Sequence, residues 1–445
     1  MAGGWEGKRR MKSIRCPLRT TASVVSVSLL LLSASSPAKV SSHLRHSFTL
    51  TAVNPTNISR HDEIVEISMA EVKKKFPSLN EQAFSVFCRH KEVSYQLSLD
   101  PIRCIGNEVA NSSELVFVSS FASHEQKRFS IVWDEDTVEE HHFPLMTQAA
   151  LGVKTKYDMV DGYYMGGTFV DVDSSTVPRD HFAHDGLYRI EGPGWESDKI
   201  VYRFYLDSRN RSDIFGKKTH DLVLKRIGEN DLTSDSKESY TKMLDWGMDI
   251  FKVGESLGIG SIAMWHDSRA VTVSDVSRAK CSVFSGPIRS GVFTSYLGWK
   301  VGDKVYDLFT ELSISAGSRL TSVVAFVNND SVQLCTGLAK HEACDLIKSP
   351  RPAGSVWEYL ALYGKQSLSG DNLGIAVFYR EKDKVKLAED STSTIVVLRP
   401  TAGRITYYLG AAWEQEPGGI KNEKSFKRFL SETVLKLDHP IQTYF

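Results

Sequence analysis

The chain has no excess charge of either sign: 54 Lys and Arg stand against 54 Asp and Glu. A nucleic-acid binder shows a clear basic excess, so that class is disfavoured. No Cys-x-x-Cys and no Cys/His spacing suggests zinc. There is no Gly-x-Ser-x-Gly elbow and no His-Glu-x-x-His helix. GESLGIG (254–260) lacks the Gly-Lys-Ser/Thr of a phosphate loop, and a strand rather than a helix is expected to follow. DVDSS (171–175) is too short to argue for calcium. Helical periodicity is scarce, and only one apolar run is long enough to notice. Composition is otherwise ordinary for a globular protein, with 41% hydrophobic and 24% charged residues.

That apolar run is SVVSVSLLLL (23–32), behind a basic stretch holding Lys8, Arg9, Arg10, Lys12, Arg15 and Arg19. Small residues follow it. The order predicts a secretory signal peptide over 1–38, cleaved near Ala34 or Ala38, with Met11 an alternative start. The run is short for a membrane span. The mature chain is therefore expected to be periplasmic or secreted, with no membrane partner. Five cysteines remain: Cys88, Cys104, Cys281, Cys335 and Cys344. Cys88 with Cys104 and Cys335 with Cys344 are candidate disulfides, although spacing does not fix connectivity. Asn-x-Ser sequons stand at Asn57, Asn111, Asn210 and Asn329.

Short alternating and β-branched runs fill the rest. SFTLTAV, EIVEISM, FSVFCR, VSYQLSL, ELVFVSSF and RFSIVW predict a small β-sandwich over 46–140. The charged DEDTVEEHH (134–142) reads as a solvated linker. A larger antiparallel two-sheet (supersandwich-like) domain is expected over 150–445, giving an all-β fold with few helices. SGVFTSYLGW and KVYDLFTELSIS form a hairpin around Gly302-Asp303. Helices are expected over 239–254 and 422–437. The second carries Phe426, Phe429, Leu430, Val434 and Leu437 as one apolar stripe.

One stretch concentrates chemistry. In YRIEGPGWESDKIVYRFYLD (188–207), EGPG suits a sharp turn leading into Trp195, Glu196 and Asp198. Strand alternation puts Ile200, Tyr202, Phe204 and Leu206 on a core face, and Lys199, Val201, Arg203, Tyr205 and Asp207 on the other. On the inner wall of a curved sheet the second row would form a polar floor. On an outer wall it would be a solvated ion pair, which is the commoner outcome for such a row. His181 and His184 lie just upstream. Trp195 beside carboxylates could hold a sugar ring, apolar face on the indole and hydroxyls on the acids. A lone Trp is more often core, and the histidines could be structural. Further candidates are Trp265-His266-Asp267, Tyr408 with Trp413 and Glu414, and Arg289 in SGPIRSG.

HFAHDGLYRIEGPGWESDKIVYRFYLDSRNRSDIFGKK, LDWGMDIFKVGESLGIGSIAMW and SGPIRSG with its hairpin closely resemble a bacterial family labelled as a domain of unknown function. Its members sit among polysaccharide-utilisation genes, and it is thought to include an ulvan oligosaccharide dehydratase. The resemblance spans about residues 46–440. It implies a carbon–oxygen lyase, a dehydratase or polysaccharide lyase, whose partner is an acidic, uronate-containing oligosaccharide.

Elimination beside a uronate needs a cation on the carboxylate, a base for the adjacent carbon-bound proton and an acid for the departing oxygen. Arg203 suits the first and His184 the second, because imidazole as a type titrates near neutrality. Tyr205 suits the third. Trp195, Glu196, Asp198, Asp207, His181, His266 and Trp413 are the expected substrate-binding residues, with Glu196 or Asp198 able to orient His184. No organic cofactor is required and no metal ligands are assigned, although a structural divalent cation is compatible. The alternatives are a glycoside hydrolase using Glu196 and Glu414 as paired carboxylates, and a non-catalytic glycan-binding protein.

Overall fold

The structure, a computed structural model, describes residues 45–99, 113–134, 141–229, 239–350 and 354–445. The expected signal peptide, Asn111, Cys104 and most of the charged linker lie outside the described residues. The fold is all-β, built from antiparallel sheets.

The six alternating runs of the first region all fall on strands. Arg45–Val53, Gln126–Asp134, Phe84–Cys88 and Lys91–Glu92 form one sheet, and Arg60–Ser68, Ser113–Phe121 and Tyr95–Leu99 another. Alternation buries Phe48, Leu50, Val65, Ile67, Phe117, Phe129 and Ile131 between them. The C-terminal strand Gln442–Tyr444 returns to pair with Arg45–Val53 and closes an edge. Helix α1 (Met69–Lys75) plugs one end through Met69 and Val72. Ser68 caps it and Lys73, Lys74 and Lys75 complement its C-terminal dipole.

The second region stacks one nine-stranded sheet against two five-stranded sheets. The nine-stranded sheet includes the expected hairpin, Arg289–Val301 with Lys304–Ser315, whose turn places Gly302 at φ 58°. A common core holds Trp195, Tyr202 and Ile214 of one five-stranded sheet, Leu334 and Val396 of the other, and Val292, Leu308 and Tyr407 of the nine-stranded sheet. Several strands are buried on both faces, Leu373–Arg380 among them, because a further layer covers the sheet. Helix α2 (Glu423–Asp438) supplies that layer with Phe426, Leu430 and Val434, capped by Asn422. Gly374 permits it: a Cβ there would collide with the Phe426 ring.

The other expected helix does not form. Residues 239–254 are turns with the short strand Gly247–Asp249. Tyr240 and Trp246 instead pack edge-on against Phe215, so tertiary contact overrides a weak helical pattern. Cys88, Cys281, Cys335 and Cys344 are free thiols, which removes the Cys335–Cys344 bridge. Cys335 is fully buried, and burial pushes its thiol far up. Asn210 is 2% exposed and donates to the Tyr296 hydroxyl, so that sequon cannot accept a glycan in the folded chain. No helix among the described residues is long and apolar enough to cross a membrane.

Arg289 ties the small sandwich to the large sheet. Its guanidinium pairs with Glu66 and Glu114, and Gln96 bonds the main chain at Ile288 and Arg289. Burial lowers its pKa, but Glu66 and Glu114 outweigh that, so the ordinary value is exceeded. Its place is a junction, not a substrate cleft.

Candidate functional site

The hairpin within the chemistry-rich stretch is not turned by EGPG. Gly194–Ser197 is itself a strand, paired with Val201–Phe204 through Trp195↔Tyr202 and Glu196↔Val201. The turn falls over residues 198–200. That shift carries the Trp-Glu-Ser cluster into the middle of a sheet.

The consequences are plain residue by residue. Trp195 is 0% exposed and donates Nε1 to Thr321 Oγ1 at 2.7 Å, so no sugar can stack on it. Glu196 is also fully buried. It pairs with Lys217 at 2.8 Å and accepts from Gln148 and the Val223 and Leu224 amides. Four donors engage its two oxygens, and the Val223 and Leu224 bonds hold the segment after residue 218 onto the sheet. Asp198 accepts from the Gly317 amide at 2.9 Å and pairs with Lys199. Trp413 is buried and donates to Asp371 at 2.9 Å. His266 lies on a different sheet, against Asp267 at 3.3 Å. Glu414 accepts from Asn372, at a surface concavity of about 450 Å³ that Glu196 does not line. The paired-carboxylate geometry of a hydrolase is therefore absent for Glu196 and Glu414.

Arg203, Tyr205, Asp207 and His184 do converge, with four partners the sequence did not name. Arg203 lies opposite Asp213, and Phe215 opposite Asp249, so all four side chains share one face of adjacent strands. Arg203 donates through Nε and Nη2 to Asp213 (2.9 and 2.5 Å) and through Nη2 to Asp249 (2.5 Å) and the Tyr205 hydroxyl (2.8 Å). Phe215 and Tyr240 flank its guanidinium at 4.7 and 5.5 Å. The row is neither a solvated face nor an open floor, since the segment bearing Tyr240 and Trp246 covers it. Tyr205 donates to Asp213. Burial, only partly offset by Arg203, raises its pKa far above the ordinary tyrosine value. A phenol so bonded is a poor acid for a departing oxygen.

Arg209 lies over the Tyr205 ring at 3.8 Å, clamped by Asp207 through Nε and Nη2. Asp207 therefore serves Arg209, not a ligand. Both arginines approach Glu191: Arg209 Nη2 at 3.1 Å and Arg203 Nη1 at 3.9 Å. Glu191 reaches them because Gly192 lets the turn lie on the strand end, where a Cβ would collide with the Phe204 carbonyl. Glu191 Oε1 in turn contacts His184 Nδ1. Glu191, not Glu196 or Asp198, is the carboxylate that orients His184.

Two features mark this edge of the cluster. His184 and Glu191 both hold left-handed backbone, at φ 64° and 66°, which is costly for residues with a Cβ. Arg203 Nη1 and Glu191 Oε1 are buried without any aligned hydrogen bond. Glu191 Oε1 still meets Arg209 Nη2 and His184 Nδ1, so Arg203 Nη1, 3.9 Å from Glu191 Oε2, is the buried donor that a ligand would satisfy. The His184 side chain is 74% exposed. His181 forms a separate pair with Asp185 at 2.6 Å and is nearly enclosed.

Asp249 also has a shifted acidity. Burial, opposed by Arg203 and reinforced by Asp213, pushes it from 3.8 up to about 7. Burial also pulls on Arg203, but Asp249, Tyr205 and Asp213 outweigh it and hold the guanidinium above its ordinary value. Among the described residues no group of three or more His, Cys, Asp or Glu side chains could hold a metal ion.

A family described as a domain of unknown function (DUF4861) matches residues 53–443. Among solved structures, a protein in glycosyl hydrolase family 38 from Enterococcus faecalis aligns with TM-score 0.44 and 9% identity, covering 89% of this chain and 47% of that one. An alpha-mannosidase from Enterococcus faecalis V583 aligns with TM-score 0.43 and 9% identity, covering 89% and 46%. The chain spans about half the length of these structures. No curated protein sequence matches it.

Proposed function

The chain belongs to the DUF4861 family, and from that premise we propose that it is an exported carbohydrate-active lyase or dehydratase acting on uronate-containing oligosaccharides. The observation that carries this is Arg203 Nη1, buried without a hydrogen-bond partner and linked through Glu191 to the exposed His184. A substrate carboxylate accepts from Arg203 Nη1, which disperses the negative charge of the developing enolate. Glu191 holds His184 Nδ1, leaving Nε2 to take the proton from the carbon next to the carboxylate. The carbon–hydrogen electrons form the double bond as the neighbouring carbon–oxygen bond breaks. Asp249, part-protonated near neutral pH, takes the acid role first expected of Tyr205. Water leaves in a dehydration, and a sugar hydroxyl in a chain cleavage.

Incubation with a panel of uronate oligosaccharides, followed by ultraviolet absorbance and mass, tests this. The expected result is a new unsaturated uronate, with loss of one water or with cleavage that adds none. Cleavage with addition of water, or saturable binding with no new product, would contradict it.

Asp249→Asn separates acid chemistry from folding. The carboxyl is neutral in both states below about pH 4. As pH rises through about 7 the unfolded chain ionises freely, while the folded chain must ionise a buried group, so stability falls over that window. Asn keeps the neutral shape. Thermal melts should show the variant losing less stability between pH 4 and pH 7, while its turnover falls by about 10²-fold or more.

A further inference from the structure

The small sandwich carries a second concavity, of about 450 Å³, on the outer face of its first sheet. Three strands build it. Ser47 pairs across to Val132 and Phe87 to Ser130, so these side chains share the face opposite the core. Arg45 stands at the start of the first strand, and Arg89 and His90 form the turn between Phe84–Cys88 and Lys91–Glu92. The result is a phenyl and hydroxyl floor under two guanidiniums, with the imidazoles of His46 and His90 also in the lining and no acidic residue there.

Two observations lift this above an ordinary basic patch. Among the described residues none of Arg45, Arg89 and His90 forms an ion pair, in a chain whose charges balance overall. Arg89 also holds φ 59° in a two-residue hairpin turn, a place that Gly or Asn fills at lower cost. Strained backbone that keeps a cation over a concave floor is the kind of outlier from which a binding role is inferred.

We propose that this groove binds an acidic oligosaccharide away from the Arg203 cluster. Carboxylates or sulfates would accept from Arg45 and Arg89, hydroxyls would meet Ser47 and Ser130, and a ring face would lie on Phe87. Such a site keeps a polymer near the chain while another segment reacts. A nucleic acid is the less favoured ligand, because the groove sits in a chain with no basic excess and offers a single aromatic face.

The test is equilibrium binding to a polygalacturonate tetrasaccharide, a chondroitin sulfate tetrasaccharide and neutral cellotetraose. The intact chain is compared with the Arg45→Ala/Arg89→Gly double variant. Binding to one or both acidic probes should weaken by about tenfold or more in the double variant. Because the chondroitin probe carries carboxylates too, stronger binding of it than of polygalacturonate shows what sulfate adds. Arg89→Gly alone should melt no lower than the parent, because it relieves the strained φ, so lost binding cannot be put down to unfolding. Turnover of a short uronate substrate should be unchanged, which separates this site from the proposed catalytic one. Unchanged affinity in the double variant, equal binding of cellotetraose, or tighter binding of a single-stranded oligonucleotide would overturn the proposal.

Discussion

Arg203→Met is expected to cost about 3–5 kcal/mol of stability, because it leaves two buried carboxylates without their shared cation. Asp213 and Asp249 both meet Arg203 Nη2 at 2.5 Å, and their side chains are 0% and 9% exposed. The loss should be larger at pH 8 than at pH 5, since protonating either acid removes part of the uncompensated charge. Arg203→Lys should recover little. A single ammonium cannot reproduce the planar set of bonds that Nε and Nη2 make to Asp213, Asp249 and Tyr205. Denaturant titrations at the two pH values check both claims. An effect below about 1 kcal/mol at either pH would mean that the cluster is not held by this cation.

His184→Ala should do the opposite: little change in stability and a fall in turnover of about 10²–10⁴-fold. The imidazole is 74% exposed and its burial contributes almost nothing to folding. His184→Gly should even melt slightly higher, because glycine accepts the φ of 64° without a Cβ penalty. Glu191→Gln, which keeps the shape but not the charge, should weaken turnover less than loss of the imidazole does. Near-parental turnover in His184→Ala would remove the base from the mechanism, whatever the stability data show.

These contrasts trace back to what a linear sequence encodes. The strands were legible because side-chain alternation survives in SFTLTAV, on Arg45–Val53, and because β-branched and aromatic residues concentrate in LGIAVFY, on Leu373–Arg380. Arg203, Tyr205, Asp207 and His184 were expected together, and Glu191 and Arg209 link them in the structure. The neighbours of Arg203 were not legible. Asp213 and Asp249 reach it through cross-strand register, which no local pattern specifies. Glu191 reaches it through one turn whose position was misplaced by a few residues. The same misplacement made Trp195 and Glu196 look like a cleft rim when they form a buried strand. One signal was available: in DIFGK, alternation puts Asp213 on one face with Phe215 and Lys217, a charged residue on either side of an aromatic one. A buried carboxylate needs a buried cation, and Arg203 was the cation already in view.

The most direct measurement follows the hydrogen itself. A uronate oligosaccharide deuterated at the carbon beside the carboxylate is incubated with the intact chain, and the products are weighed by mass spectrometry. Abstraction by His184 removes that label, so the unsaturated product should carry none of it. A product that keeps the deuterium would show that this carbon–hydrogen bond is never broken, and would contradict elimination at the Arg203–Glu191–His184 site.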